Sequence, residues 1–311
     1  MKRLLPVLWL LIISAAAWIL ADRLRTVDFT DVAAQLRALP RSVVLAALAC
    51  STGVYALVGL YEGFAVRIAA GRRMPLQAFR TALIANPIGR AIGIAMVSGG
   101  ALRYRVYSAL GLGARQIAAV ILLVAMPYVI AVGWLIDLSL LLNSEQASRA
   151  LRLSATTVTA IALVGLVKDV GWFIFIAKRK QPLAWRGRTL QLPTLRDTAI
   201  QTGFGIGQLS LMTAILYLFM PPELGMSWPA FAAIYCIAFL AGQLSNVPAG
   251  LGVLEAALLV MLPHVPPSRL LGAVLAYRAV YEVLPLLVGL VLLIVFEITH
   301  PRGLVRRRGS A

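Results

Sequence analysis

Cysteine and histidine are scarce, with two of each in 311 residues. A disulfide scaffold needs several cysteines, and a thiolate or imidazole metal centre needs three or four ligands together. Cys50 and Cys236 both fall inside apolar segments, where they read as small buried hydrophobes. His264 and His300 fall at opposite expected membrane faces, so a paired-histidine metal site is excluded. Charge is scarce too, at 13% of residues, and its acidic sign most of all, with 12 Asp and Glu against 29 Lys and Arg. That is too little polar surface to cover a soluble core of this size. No Gly-x-Ser-x-Gly elbow, P-loop or His-Glu-x-x-His motif occurs. Serine-hydrolase, nucleotide-driven and zinc-peptidase chemistries lose their usual signatures, and no cofactor is expected.

What is present instead is apolar length. Hydrophobic residues make up 60% of the chain, and the mean hydropathy is +0.87. Apolar blocks run over residues 4–21, 42–70, 76–97, 117–142, 153–177, 198–220, 228–262 and 270–298. A helix needs roughly 20 residues to cross about 30 Å of hydrocarbon. The pattern is that of one polytopic all-α membrane domain over residues 1–311, with no soluble domain beside it. The net charge of +17 sits in short clusters between these blocks, as anchors against anionic headgroups do, so nucleic acid is not an expected partner. The first block, after Met1-Lys2-Arg3, has the outline of a signal peptide but is long for one; it reads as an uncleaved span, although Ala15 to Ala17 would suit a cleavage site. Residues 28–39 read as a short interfacial amphipathic helix.

Two blocks contain helix breakers. Residues 76–97 carry Asn86-Pro87-Ile88-Gly89-Arg90, and residues 228–262 carry Asn246-Val247-Pro248-Ala249-Gly250-Leu251-Gly252. Proline removes a backbone donor and glycine admits non-helical dihedrals, so each block is expected to fold as a re-entrant hairpin. Six full spans then remain, and both termini share one side. With the N-terminus inside, 19 of the 29 Lys and Arg face the cytoplasm and 7 face out, which favours N-in, C-in. The hairpins would enter from opposite faces. Two readings stand side by side: an inverted repeat with a binding site between the breaks, or two unrelated kinks.

Two stretches are more specific. One is Ser98-Gly99-Gly100-Ala101-Leu102-Arg103-Tyr104-Arg105-Val106-Tyr107, and the other runs from Asn246 through Pro248, Gly250 and Gly252 to Glu255. Together they resemble the lysylphosphatidylglycerol synthetase transmembrane-region family, with Ala249 standing where that family's later motif usually has a glycine. In that family the membrane region is implicated in flipping aminoacylated phosphatidylglycerol, and a soluble domain after the last span performs aminoacyl transfer. The sequence ends at Ala311 after a short basic tail. The resemblance therefore implies a stand-alone member that handles membrane phospholipid without synthetase activity, and it does not name the lipid.

The charged residues inside apolar blocks are the candidate substrate-binding groups. Glu255 follows the second break, where it would contact a cationic headgroup or coupling ion, or else pair with Arg278 and cap a helix start. Arg90 follows the first break, deeper in, where it would hold a lipid phosphate or else serve as a positive-inside anchor. Arg103 and Arg105 are expected at the cytoplasmic mouth of that hairpin, either on phosphate or as plain positive-inside anchors. Arg278 and Glu282 stand four apart on the last span and should pair. Lys168 and Asp169 need separate partners or a shared cavity, while Glu62 and Asp137 lie near expected span ends. Asn246, Pro248, Gly250 and Gly252 complete the set. The expected function is an inner-membrane lipid transporter or flippase and not an enzyme. The alternatives are an accessory protein for a lipid-modifying or glycolipid enzyme, and an intramembrane enzyme acting through carboxylates. A partner enzyme or a homo-oligomer is left open.

Overall fold

The computed structural model describes residues 30, 37–93, 95–179, 183–185, 188–190, 193–245 and 247–300. The expected first span, most of the amphipathic segment at 28–39, Asn246 and the basic tail lie outside them. In chain order the helices are α1 (Arg41–Ala70), α2 (Pro75–Ile92), α3 (Ala95–Ala109), α4 (Ala114–Leu142), α5 (Ser144–Leu151) and α6 (Ala155–Lys178). A small hairpin of β1 (Leu183–Trp185) and β2 (Arg188–Leu190) sits in the basic connector, with Leu183 opposite Leu190. Then come α7 (Leu195–Phe219), α8 (Trp228–Leu244), α9 (Val253–Met261), α10 (Pro267–Arg278), a π-helical turn over Ala279–Val283, and α11 (Leu284–Thr299).

The architecture is that of an all-α membrane protein. Among the described residues α1, α4, α6, α7 and the continuous run Pro267–Thr299 are long and apolar enough to cross a bilayer. They coincide with five of the six expected full spans. Helix starts and ends follow local chemistry. Ser154 Oγ accepts from Thr157 N and Thr194 Oγ1 from Asp197 N, while Gly71, at φ 64°, closes α1.

Helices α1 and α7 pack side by side, with α4 against both. The core between them is filled by fully buried Leu209, Met212, Phe231, Ile234 and Tyr235. Helices α6 and α11 are peripheral. Val164, Val167 and Ile298 are 72%, 73% and 73% exposed. In water each such side chain would forgo about 1.5–3 kcal/mol of burial, whereas lipid tails accept it without cost.

The two broken blocks form helical hairpins. The second breaks where expected: α8 ends at Leu244, a short turn over Pro248–Gly250 follows, and α9 starts at Val253. The first does not. Helix α2 runs unbroken through 86–90, and its chain reverses at Gly93, whose φ of 104° suits glycine. The hairpin thus extends over 75–109, beyond the expected 76–97.

Neighbouring groups explain why Pro87 is tolerated. Asn86 Nδ2 donates to Ala82 O, which keeps the turn closed. Proline at 87 cannot donate to the Leu83 carbonyl four residues back. Gly289 of α11 lies against that carbonyl so closely that a Cβ there would be 2.6 Å from it. The freed oxygen therefore faces a neighbouring helix backbone and not open lipid.

Candidate functional site

Helix α2 packs against the Pro248–Gly250 turn, so the first hairpin meets the break of the second. Between them lies a cavity of about 230 Å³, lined by Pro87, Arg90, Pro248, Ala249, Arg278 and Glu282 with neighbouring apolar groups. Each wall has a sequence-level reason. Two prolines supply rigid backbone without a donor, and the π-helical turn after Arg278 carries Glu282 onto the cavity wall. Ser51 Oγ donates to Val280 O, and Tyr55 Oη to Tyr281 O, which occupies carbonyls of that turn from α1.

Arg90 is held by tyrosines. Its Nη1 donates to Tyr281 Oη at 2.6 Å and its Nη2 to Tyr55 Oη at 2.9 Å. The guanidinium carbon also sits 4.3 Å from the centre of the Tyr281 ring. Among the described residues no carboxylate lies within ion-pair distance of it. Neutral hydroxyls orient a guanidinium without neutralising it, so Arg90 brings to the cavity a fixed positive charge that no carboxylate pairs with directly, with Glu282 on the same wall acting on it at longer range.

Arg278 is different. Its Nε and Nη2 donate to Glu255 Oε1 and Oε2 at 2.7 and 3.1 Å, its Nη1 donates to Glu282 Oε2 at 2.6 Å, and Nη1 also reaches Ala249 O at 3.2 Å. Glu255 Oε2 in turn accepts from Gly252 N at 2.9 Å, capping the start of α9. Both structural readings of Glu255 hold together: it pairs with Arg278 and caps its helix. Glu282 shares Arg278 with Glu255 and keeps its side chain 18% exposed, so it is the more available carboxylate on the cavity wall.

The remaining candidates separate. Arg103 is not at the hairpin mouth. It is 6% exposed, and its Nε and Nη2 donate to Glu62 Oε1 and Oε2 at 2.8 and 2.7 Å. Glu62 is fully buried and also accepts from Tyr107 Oη at 3.1 Å; it is no interfacial residue near a span end. Alternation within a helix hides this pairing, because the two residues lie on different helices 41 positions apart. Arg105 donates to Glu297 Oε2 at 2.7 Å and to His300 O at 2.9 Å, fastening α3 to the end of α11. Gly250 closes the second hairpin against Gly242, where a Cβ would meet Gly242 Cα at 3.0 Å. Asp137 lies near the C-terminal end of α4 and is buried among its neighbours. Lys168 and Asp169, although adjacent, pair with each other at 3.0 Å.

Tyr55 and Tyr281, which hold Arg90, are not among the residues the sequence singles out. Tyr281 stood beside Glu282 in the sequence, yet only the fold brings Tyr55, 226 positions away, onto the same groups.

No family model matches the chain. Two curated proteins are similar to it. One is the uncharacterised protein slr0712 of Synechocystis sp., 29% identical over 245 residues, covering 78% of this chain and 76% of that protein. The other is the inner membrane protein YbhN of Escherichia coli (strain K12), 26% identical over 302 residues and covering 93% of this chain and 91% of that one. The chain is a multi-span helical membrane protein, similar over almost its whole length to the inner membrane protein YbhN.

Proposed function

We propose that the chain is an inner-membrane lipid transporter of the flippase kind, N-in and C-in, by analogy with the lysylphosphatidylglycerol synthetase transmembrane-region family that its motifs resemble. The polar headgroup of a phospholipid enters between the two hairpins while its acyl chains stay in the bilayer. Arg90 takes the phosphate, and Glu282, backed by Arg278 and Glu255, faces the cationic part of a zwitterionic or aminoacylated headgroup. The observation that carries this reading is the charge on Arg90, oriented by two tyrosines and matched by no carboxylate within ion-pair distance among the described residues. A cavity of about 230 Å³ is smaller than the roughly 300 Å³ at which sites for whole small molecules begin, and so suits a headgroup better than an entire lipid. The name of YbhN supports the inner membrane as the location. In this reading the cluster acts as a binding surface and performs no bond chemistry.

The test is headgroup exposure in proteoliposomes made with purified protein and labelled anionic, zwitterionic and aminoacylated phospholipids. Wild type should speed exposure over empty liposomes, and Arg90→Ala should remove most of that gain. Rates equal to empty liposomes for every lipid would overturn the proposal. Co-purification of a lipid-modifying enzyme without exposure would instead identify an accessory protein.

A further inference from the structure

The polar groups of α4 and α6 take no part in the cavity between the hairpins. Each helix carries a glycine and an aspartate four residues apart, Gly133 and Asp137 on α4, Gly165 and Asp169 on α6. That spacing puts both on one helix face. The two faces meet reciprocally. A Cβ at Gly165 would lie 2.1 Å from Asp137 Oδ2, and one at Gly133 would lie 3.0 Å from both oxygens of Asp169. Each carboxylate therefore fills the notch that the opposite glycine leaves.

Lys168 stands at the edge of the pair, with Nζ 3.0 Å from Asp169 Oδ1 and 3.8 Å from Asp137 Oδ2. Its own side chain is 63% exposed, whereas Asp137 and Asp169 are 6% and 3% exposed as whole residues. Oδ2 of each aspartate is buried without a hydrogen-bond partner. The charged groups acting on Asp137 are Lys168 and Asp169. Two carboxylates and one ammonium leave an excess negative charge at membrane depth, where an unmatched charge is costly. One more positive charge would cancel it. A metal ion of the calcium type takes six to eight oxygen ligands, and no group of three His, Cys, Asp or Glu gathers among the described residues. A proton needs only one unpartnered oxygen, and each aspartate supplies one.

We infer that Asp137 and Asp169 form an intramembrane proton-binding site, in which one carboxyl carries the proton and the other stays ionised against Lys168. Uptake converts one carboxylate and one proton to a carboxylic acid and takes the site from one net negative charge to zero; release reverses it. The site stands on different helices from the headgroup cavity and does not rest on the lipid reading. It would give the chain a means of responding to a proton gradient.

The experiment treats the full-length protein in liposomes with N,N′-dicyclohexylcarbodiimide, which attacks protonated carboxyls in apolar surroundings, and maps adducts by peptide mass spectrometry. Wild type should be modified at Asp137 or Asp169, faster as pH falls. Asp137→Asn should suppress the adduct at Asp169 and Asp169→Asn that at Asp137, each more than tenfold, because the surviving carboxylate pairs with Lys168. Lys168→Met should extend labelling to higher pH, since two carboxylates without a cation hold a proton more firmly. No adduct at either aspartate on folded wild type, or a rate independent of pH, would overturn the inference. Protection by Na⁺ at fixed pH would also overturn it, by making a metal ion the occupant. The labelling readout involves no lipid movement, so its failure and the failure of the lipid reading are distinct results.

Discussion

Arg103 and Glu62 are joined by two parallel hydrogen bonds of 2.8 and 2.7 Å inside the membrane region, and neither side chain is more than 7% exposed. Arg278 and Glu255 repeat the arrangement at the other hairpin, at 2.7 and 3.1 Å. In each case a residue on the second arm of a hairpin grips a neighbouring long helix. The first pair ties α3 to α1 and the second ties α9 to the last span. A broken helix has too few internal hydrogen bonds and too little length to hold its place alone, and a two-pronged ion pair sets both its depth and its rotation.

Removing one partner of the first pair should strand a buried charge. Arg103→Ala or Glu62→Ala is expected to cost about 3–5 kcal/mol. Thermal unfolding in detergent measures it, and the double variant with both side chains removed should lose less than the sum of the single changes.

Ala249 adopts φ 52° and ψ 17°, a left-handed conformation that costs a residue with a Cβ about 1–2 kcal/mol. Ala249→Gly should therefore stabilise the protein by about 1 kcal/mol, offset in part by the greater freedom of glycine in the unfolded chain. A fall in melting temperature would mean that the Ala249 methyl group contributes packing that exceeds the backbone strain.

Gly289→Ala should act in the opposite direction. Its Cβ would lie 2.6 Å from Leu83 O and 3.1 Å from Pro87 Cγ, and the first contact is with backbone that cannot step aside. Overpacking of this kind costs about 1–3 kcal/mol. Cysteine pairs bridging α2 and α11 should cross-link less readily in the variant than in the parent.

Tyr55→Phe and Tyr281→Phe each remove one hydroxyl that orients Arg90. Hydrogen bonds to charged groups contribute about 1.5–3 kcal/mol. Each change should slow headgroup exposure by about tenfold or more while leaving the ring over Arg90 in the Tyr281 variant. Arg90→Lys should fail to restore the wild-type rate, because an ammonium lacks the planar fork that reaches both hydroxyls at once. Equal rates in all these variants would remove Arg90 from the headgroup path.

The membrane class, five of the spans and the second break were legible in the sequence for a plain reason. Twenty apolar residues can do little but cross a bilayer, and Pro248, Gly250 and Gly252 within one turn leave no helix to continue. Arg278 and Glu282 were legible because helical spacing alone brings them together, and their 2.6 Å contact is local. The position of the first turn was not. A proline breaks a helix less readily where the surrounding backbone is held and covered: Asn86 bonds the Ala82 carbonyl, and the Gly289 backbone packs over the Leu83 carbonyl that Pro87 leaves free.

Which charges meet was decided by tertiary structure. Local sequence presents Arg103 and Arg105 as two similar anchors two residues apart, yet one is buried on Glu62 and the other fastens the end of α11. Asp137 and Asp169 show no relation along the chain until α4 and α6 pack glycine against aspartate. Composition commits this chain to the bilayer, since transfer of apolar length into lipid depends on side-chain type and run length. The pairing of its few charges depends instead on helix rotation and depth, which only the packed bundle sets.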